Sequence, residues 1–286
     1  MPKRCKVCGR EAYVYLPQHN LALCKEHFTE RHERVVLETI RRYGMFSRQD
    51  RVMVALSGGK DSVGLLWTLK KHGFKVFALF IDLGMGAHQE RVNRVIERVA
   101  ERIDVQIVRY SLREHYGVTA PELFRRHRRR HPCSVCGTVK RYLINKLALE
   151  LGAEVVATGH HLDDEASVLL SNVLRWDDEY LRRQSLVLPK THPKLVKKVK
   201  PLAFLTDREM RAYAEAEGLP YVAEECPFSK GARLKAIAEV LDELERVSPG
   251  AKLQFYKNFY KFKEKYLGEA EPPQLRECRV LSLIHI

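Results

Sequence analysis

The hexapeptide Ser57-Gly58-Gly59-Lys60-Asp61-Ser62 constrains this chain more than any other stretch. The apolar run Val52-Met53-Val54-Ala55-Leu56 precedes it and Val63-Gly64-Leu65-Leu66-Trp67-Thr68-Leu69 follows it, a pattern of strand, glycine turn and helix. Adjacent glycines let the backbone bend tightly and bring its N–H groups close to a phosphate. The helix adds the positive end of its dipole. Lys60 supplies a mobile cation, and Ser57 and Ser62 supply hydroxyls. A Walker loop needs four residues between its glycines and a Gly-Lys-Ser/Thr ending, so this phosphate cradle is of another type.

The same alternation continues downstream. The pattern predicts strands at 51–56, 75–81, 105–109 and 154–158, and helices at about 61–72, 88–102, 138–151 and 161–174. Continuous apolar strands separated by helices imply a parallel sheet covered on both faces. Ligands bind beyond the carboxyl ends of such strands. The hexapeptide, Asp82, Gly159-His160 and the loop from 111 to 137 all fall there. A helix near 28–43 precedes the sheet. Beyond 175 the periodicity changes. Residues 186–202 are basic and proline-punctuated, with Lys190, Lys194, Lys197, Lys198 and Lys200 among Leu195, Val196 and Val199. Thr206 and Glu209 form a capping-box pair for a helix near 206–217. Helices near 232–246 and 250–266 follow, and Glu271-Pro272-Pro273 reads as a linker.

Length allows one large α/β domain with small additions: 286 residues. Fifty Lys and Arg against 36 Asp and Glu give a formal charge of +14, which points to a polyanionic partner, nucleic acid first. No apolar run approaches the roughly 18 residues of a membrane span. Met1-Pro2-Lys3-Arg4-Cys5 lacks the apolar core of a signal peptide, so a cytoplasmic location without membrane contact is expected. Seven cysteines, four of them in two CxxC pairs, then suggest metal or redox chemistry rather than structural disulfides.

Cys5-x-x-Cys8 followed by Cys24-x-x-His27 offers three thiolates and an imidazole in two pairs, a donor set suited to tetrahedral structural zinc. So short and polar a segment needs a staple to fold. Cys133-x-x-Cys136-Gly137 is a second pair, and Cys226 stands alone before Pro227. A redox dithiol, a zinc site with an outside ligand and an iron–sulfur cluster all fit that spacing. Arg125-Arg126-His127-Arg128-Arg129-Arg130-His131 abuts the pair and reads as an RNA phosphate track. Lys140 lies one helical turn beyond Cys136. In Gly159-His160-His161-Leu162-Asp163-Asp164-Glu165, the aspartates suit either helix capping or a Mg²⁺ or proton-handling role.

Taken together, these motifs resemble the tRNA-thiolating PP-loop enzymes of the TtcA/TtuA family, over about residues 1–278. The resemblance implies a five-stranded parallel sheet of the adenine-nucleotide α-hydrolase (PP-loop) type with a small N-terminal zinc module. It implies that Cys5, Cys8, Cys24 and His27 bind Zn²⁺, and that Cys133, Cys136 and Cys226 hold a [4Fe–4S] cluster with one free iron. Ala55, Ser57, Gly58, Gly59, Lys60, Asp61, Ser62, Asp82 and Gly159 would surround ATP and its Mg²⁺, with Lys140 and Asp164 as catalytic residues between ATP and cluster. The implied organisation is a zinc module (1–27), a linking helix (28–48), a PP-loop ATPase domain (49–228) and C-terminal helices (229–270). Residues 271–286 would be the remnant of a truncated second zinc module: leucine stands where the motif begun by Cys278 needs a cysteine, so Cys278 is expected to bind no metal.

The implied activity is adenylation of the C2 oxygen of a tRNA uridine, that of the T-loop by overall resemblance, followed by sulfur transfer. A ubiquitin-like thiocarboxylate carrier as sulfur donor and a homodimer are implied with it. A wobble-uridine or cytidine thiolase of the same family shares the motifs, and a non-catalytic zinc RNA-binding protein is the alternative of another class.

Overall fold

A computed structural model describes residues 3–268, 276–277 and 284–285. The N-terminal module is a hairpin of β1 (Val14–Leu16) and β2 (Leu21–Leu23), turned by Asn20 in the left-handed region, φ 46°. The long helix α1 (Lys25–Arg42) carries the chain to the sheet. Then follow β3 (Val52–Leu56), α2 (Lys60–Lys71), β4 (Val76–Asp82), α3 (Ala87–Ile103), β5 (Ile107–Ser111), the short helices α4 (Leu112–Tyr116) and α5 (Ala120–Arg126), α6 (Pro132–Glu150) and β6 (Val155–Ala157). The second half comprises α7 (Leu162–Val173), α8 (Asp178–Arg183), β7 (Val187–Leu188), β8 (Lys197–Val199), α9 (Asp207–Ala216), α10 (Arg233–Val247) and α11 (Ala251–Phe262).

The main sheet has the order β5-β4-β3-β6-β8-β7. Its first five strands are parallel, with Val54 opposite Ala78 on one side and Ala157 on the other, and β7 adds an antiparallel edge. Strand residues alternate between two cores. Val52, Val54, Leu56, Ala78 and Phe80 face the core built with α1, α2, α7 and α9. Met53, Phe77, Leu79 and Ile81 face the core built with α5 and α6. Period-two alternation with both faces buried is why these strands read as unbroken apolar runs.

Several elements depart from expectation. The segment read as a basic stripe supplies the fifth parallel strand, β8, and the sixth, β7. Two of its lysines are used internally: Lys200 pairs with Glu165 at 2.8 Å and Lys197 donates to the Gly44 carbonyl. The loop expected over 111–137 holds α4, α5 and the start of α6. Helix α6 begins at Pro132 rather than near 138, because proline fits the first helical position and the His131 side chain accepts the Cys133 N–H at 3.2 Å. The Thr206–Glu209 capping box forms as read. Cys278 lies outside the described residues.

Candidate functional site: a phosphate cradle beside three thiols

Strand order reverses between β3 and β6, because β4 and β5 continue to one side and β8 lies on the other. The loops leaving these two strands lie side by side at this switch point and wall the crevice that is the usual ligand position in such sheets. The loop after β3 is the glycine hexapeptide, and the loop after β6 is Gly159-His160-His161. Gly58 takes φ +81°, which L side chains rarely adopt. Ser57 and Ser62 brace the turn: the Ser57 N–H donates to Ser62 Oγ at 3.1 Å, and Ser62 Oγ donates to the Gly59 carbonyl at 3.1 Å. Gly159 packs against the first turn of α2 so closely that an added Cβ would meet Ser62 N at 2.9 Å. Asp82, at the end of β4, accepts the Gly84 N–H at 2.8 Å and the Asn93 amide at 3.1 Å. Ala55, on β3, is partly buried one residue before the strand ends.

A partly buried charge cluster lines this crevice. Lys60 Nζ donates to both Asp61 oxygens at 3.0 and 3.1 Å and reaches Asp207 Oδ1 at 2.5 Å. His161 is 6% exposed. Its Nε2 lies 4.0 Å from Asp61, 3.6 Å from Asp164 and 3.6 Å from Asp207, and its Nδ1 lies 3.5 Å from Asp163. Burial acts against the imidazolium, but Asp163, Asp164 and Asp61 outweigh it and lift its pKa to about 9. Asp163 shows the converse. Burial would raise its pKa, but His161 and Lys252 hold it well below the usual carboxylate range. Lys252, from α11, bonds both Asp163 and Asp242. Burial pushes the Asp61 carboxyl up, against His161 and Lys60.

Asp163 and Asp164 therefore differ in kind. Asp163 is a buried structural anion that also accepts the Asp207 N–H at 2.7 Å. Asp164 caps α7 by accepting the His161 N–H at 3.1 Å, and its side chain, 46% exposed, stands at the crevice mouth. The sequence reading missed Asp207, Asp242 and Lys252. Asp207 follows the N-cap Thr206 and reads there as an ordinary first-turn acid, and Lys252 carries no local signal.

The three remaining thiols come from two segments. Cys133 and Cys136 occupy the first turns of α6. The turn after Cys226 docks on them through Cys133 Sγ and the Phe228 carbonyl at 3.7 Å, and through Phe228 and Phe124, whose rings lie 5.1 Å apart. His131 Nε2 lies 3.1 Å from the Lys230 carbonyl, so a proton there leaves Nδ1 to accept the Cys133 N–H. All three are free cysteines. Burial raises the Cys136 thiol above its ordinary pKa, and Lys140 pulls it back. Burial, then Cys226 and Cys136, raise that of Cys133. Met85, from the loop after β4, reaches Cys226 Sγ at 3.8 Å, which connects the thiols with the strand that ends in Asp82. Three thiols brought side by side by these contacts form a donor set of the kind that takes an iron–sulfur cluster.

Cys5, Cys8, Cys24 and His27 converge on one point. Bonds of roughly 2.3 Å to sulfur and 2.05 Å to nitrogen set tetrahedral edges of about 3.8 Å between sulfurs and about 3.5 Å from sulfur to nitrogen. Cys8 and Cys24 stand 3.7 Å apart, Cys5 and His27 3.5 Å, and Cys24 and His27 3.1 Å. The donors fit one tetrahedral ion. Arg10 faces them, with Nε 3.4 Å from Cys8 and an ion pair to Glu26, and offsets the thiolate charge.

Outside the crevice, Arg126, Arg128, Arg129 and Arg130 are exposed and make no ion pair among the described residues; Arg130 donates to Ser134. No helix among the described residues is long and apolar enough to cross a membrane.

The sheet, its switch point and the glycine cradle define a PP-loop α/β protein, and residues 26–230 match the PP-loop domain family. Residues 4–29 match the N-terminal LIM domain of the 2-thiouridine synthetase TtuA. Over 280 residues the chain is 41% identical to the tRNA-5-methyluridine(54) 2-sulfurtransferase of Pyrococcus horikoshii, covering 98% of this chain and 89% of that relative. It is 43% identical over 276 residues to the protein so named from Thermotoga maritima, covering 96% and 90%. Among solved structures, the U34-tRNA thiolase NcsA from Methanococcus maripaludis with its [4Fe-4S] cluster shares the fold at a TM-score of 0.79 and 24% identity, covering 98% of this chain and 94% of that one. The chain belongs to the TtuA group of tRNA-thiolating PP-loop proteins.

Proposed function

We propose that this protein is an ATP-dependent tRNA sulfurtransferase that makes 2-thiouridine, with the T-loop uridine at position 54 as its target. The observation that carries the reading is the placing, toward the carboxyl end of the sheet, of a phosphate cradle and of three free thiols from distant segments, linked to it through Met85 after β4. The activity for which the relatives are named supports the substrate, and the unpaired arginines beside Cys133 support binding of a polyanion.

The uridine C2 oxygen is a poor leaving group. It attacks the α-phosphorus of ATP, the bond between the α-phosphorus and its β-bridging oxygen breaks, and pyrophosphate departs with the electron pair. Loop N–H groups, the α2 dipole and Lys60 stabilise that charge. A sulfide nucleophile then adds at C2, and AMP leaves with the former C2 oxygen. Lys140, beside the thiols, balances negative charge in this step, and Asp164 at the crevice mouth holds a proton or Mg²⁺ bound to ATP. Cys133, Cys136 and Cys226 would hold a [4Fe–4S] cluster, which when bound supplies an iron free of protein ligands to carry sulfide. Cys5, Cys8, Cys24 and His27 hold Zn²⁺ as a structural staple. A ubiquitin-like thiocarboxylate protein delivers the sulfur, the working unit is a homodimer, and its location is cytoplasmic, where thiols stay available as metal ligands.

The test is anaerobic reconstitution with ATP, sulfide and tRNA, read by mass spectrometry of the nucleosides. The wild-type chain should yield 2-thiouridine with release of pyrophosphate, and Cys226→Ala should yield none. Undiminished thiouridine from that variant would remove the thiol site from the reaction.

A further inference from the structure

We infer that Asp207 is a displaceable counter-ion that positions Lys60 and is exchanged for the phosphates of ATP. The inference rests on the reading of the glycine loop as the ATP cradle. Lys60 is largely buried, with 11% of its side chain exposed, and both its partners are carboxylates. They are not equivalent. Asp61 is the next residue on the same helix and travels with Lys60. Asp207 comes from the first turn of α9, nearly 150 residues away in the chain, and its side chain is 43% exposed. Asp61 alone leaves Lys60 one further donor to satisfy in this low-dielectric crevice, and Asp207 accepts from it.

Asp207 can also leave without being stranded. Its Oδ2 lies 3.6 Å from Arg211 NH2, one turn along α9, and its Oδ1 lies 3.6 Å from His161 Nε2. Rotation away from Lys60 therefore exchanges one cation for others already at hand. Its main chain stays fixed meanwhile, because the Asp207 N–H remains bonded to Asp163 and Thr206 and Glu209 cap the helix. The carboxylate is thus a hinged group on a fixed mount. When triphosphate enters, Lys60 turns from one anion to another without passing through an unpaired state.

The test is a double-mutant cycle on binding of a non-hydrolysable ATP analogue, measured by calorimetry on the full chain. Asp207→Asn keeps the helix start but removes the competing charge, so affinity should rise roughly tenfold, the worth of a charged hydrogen bond. In a Lys60→Gln background the same change should move affinity by about twofold or less, because the competition is gone. In turnover, Asp207→Asn should lower the KM for ATP more than it changes kcat. Affinity that falls or stays the same in Asp207→Asn, or that rises equally in both backgrounds, overturns the inference. Failure of Lys60→Gln to weaken binding would instead sink the reading of the loop itself. Unchanged melting temperature of Asp207→Asn within about 2 °C serves as the folding control, and Asp207→Ser, a second good helix-start residue, must then give the same result.

Discussion

Gly159 is the tightest joint in the crevice, and replacing it with alanine tests how the two loops depend on each other. The new methyl would stand 2.9 Å from Ser62 N, 3.1 Å from the Asp61 carbonyl carbon and 3.1 Å from Ser62 Cα. All three are backbone atoms of the first turn of α2, so no side-chain rotation relieves the clash. Reaching ordinary contact requires the loops to part by about 0.5 Å, at an overpacking cost of about 1–3 kcal/mol. For a chain of this size that corresponds to a fall of about 2–5 °C in Tm. Activity should suffer more than stability. The displaced turn carries Lys60, Asp61 and Ser62, and an ångström of misplacement costs up to about 10²-fold in rate. Gly64→Ala is the matched control on the same helix. Its methyl would meet the flexible end of Met210 at 3.1 Å, and alanine is the better helix former. Thermal melting and pyrophosphate release, measured on both variants, check the reasoning. Near wild-type release from Gly159→Ala, or equal losses from the two, would refute it.

Three further outcomes follow from the geometry. Replacing Arg128 and Arg129 with Gln should lower the log–log salt slope of tRNA binding by about 0.7–0.9 for each phosphate that is no longer neutralised, as read by filter binding across a salt series. The pKa of His161 is raised from about 6.5 unfolded to about 9 folded, so its contribution is complete below pH 6.5 and fades as pH rises through 9. Tm should therefore decline between those values, and His161→Gln should flatten that part of the profile. Chelation of the N-terminal ion, or Cys24→Ser, should release one zinc per chain by elemental analysis and unfold the hairpin, seen as a loss of amide protection over residues 5–29.

The parts of the fold that were legible in the sequence are those where local pattern and tertiary role agree. Four strands and the helices around them announce themselves because both faces of the sheet are buried. β8 does not, because a three-residue strand of Lys-Lys-Val near the sheet edge keeps its lysine stems half-buried and looks like a solvated stripe. The start of α6 is legible in Pro132, a residue suited to the first helical position, but the Arg-rich run before it carries no apolar periodicity to mark the helix. In the crevice, the glycine hexapeptide, Asp82 and Gly159 fall together at the carboxyl end of the sheet because each sits within a few positions of a strand end. Asp207 and Lys252 come from helices packed far along the chain, and one acid at a helix start is indistinguishable from dipole compensation until the fold is closed.

The first turn of α9 faces two ways. Asp207 turns to the glycine loop, whereas Glu209, two residues on, accepts Arg31 at 2.8 Å and Gln18 at 3.2 Å from the N-terminal segment, and Tyr13 donates to the Ala212 carbonyl at 3.0 Å. The N-terminal segment and the glycine loop thus hold opposite sides of one helix. A disturbance of the N-terminal hairpin would therefore reach Lys60 through a single helix turn, because the anchor Glu209 and the counter-ion Asp207 stand two residues apart on it.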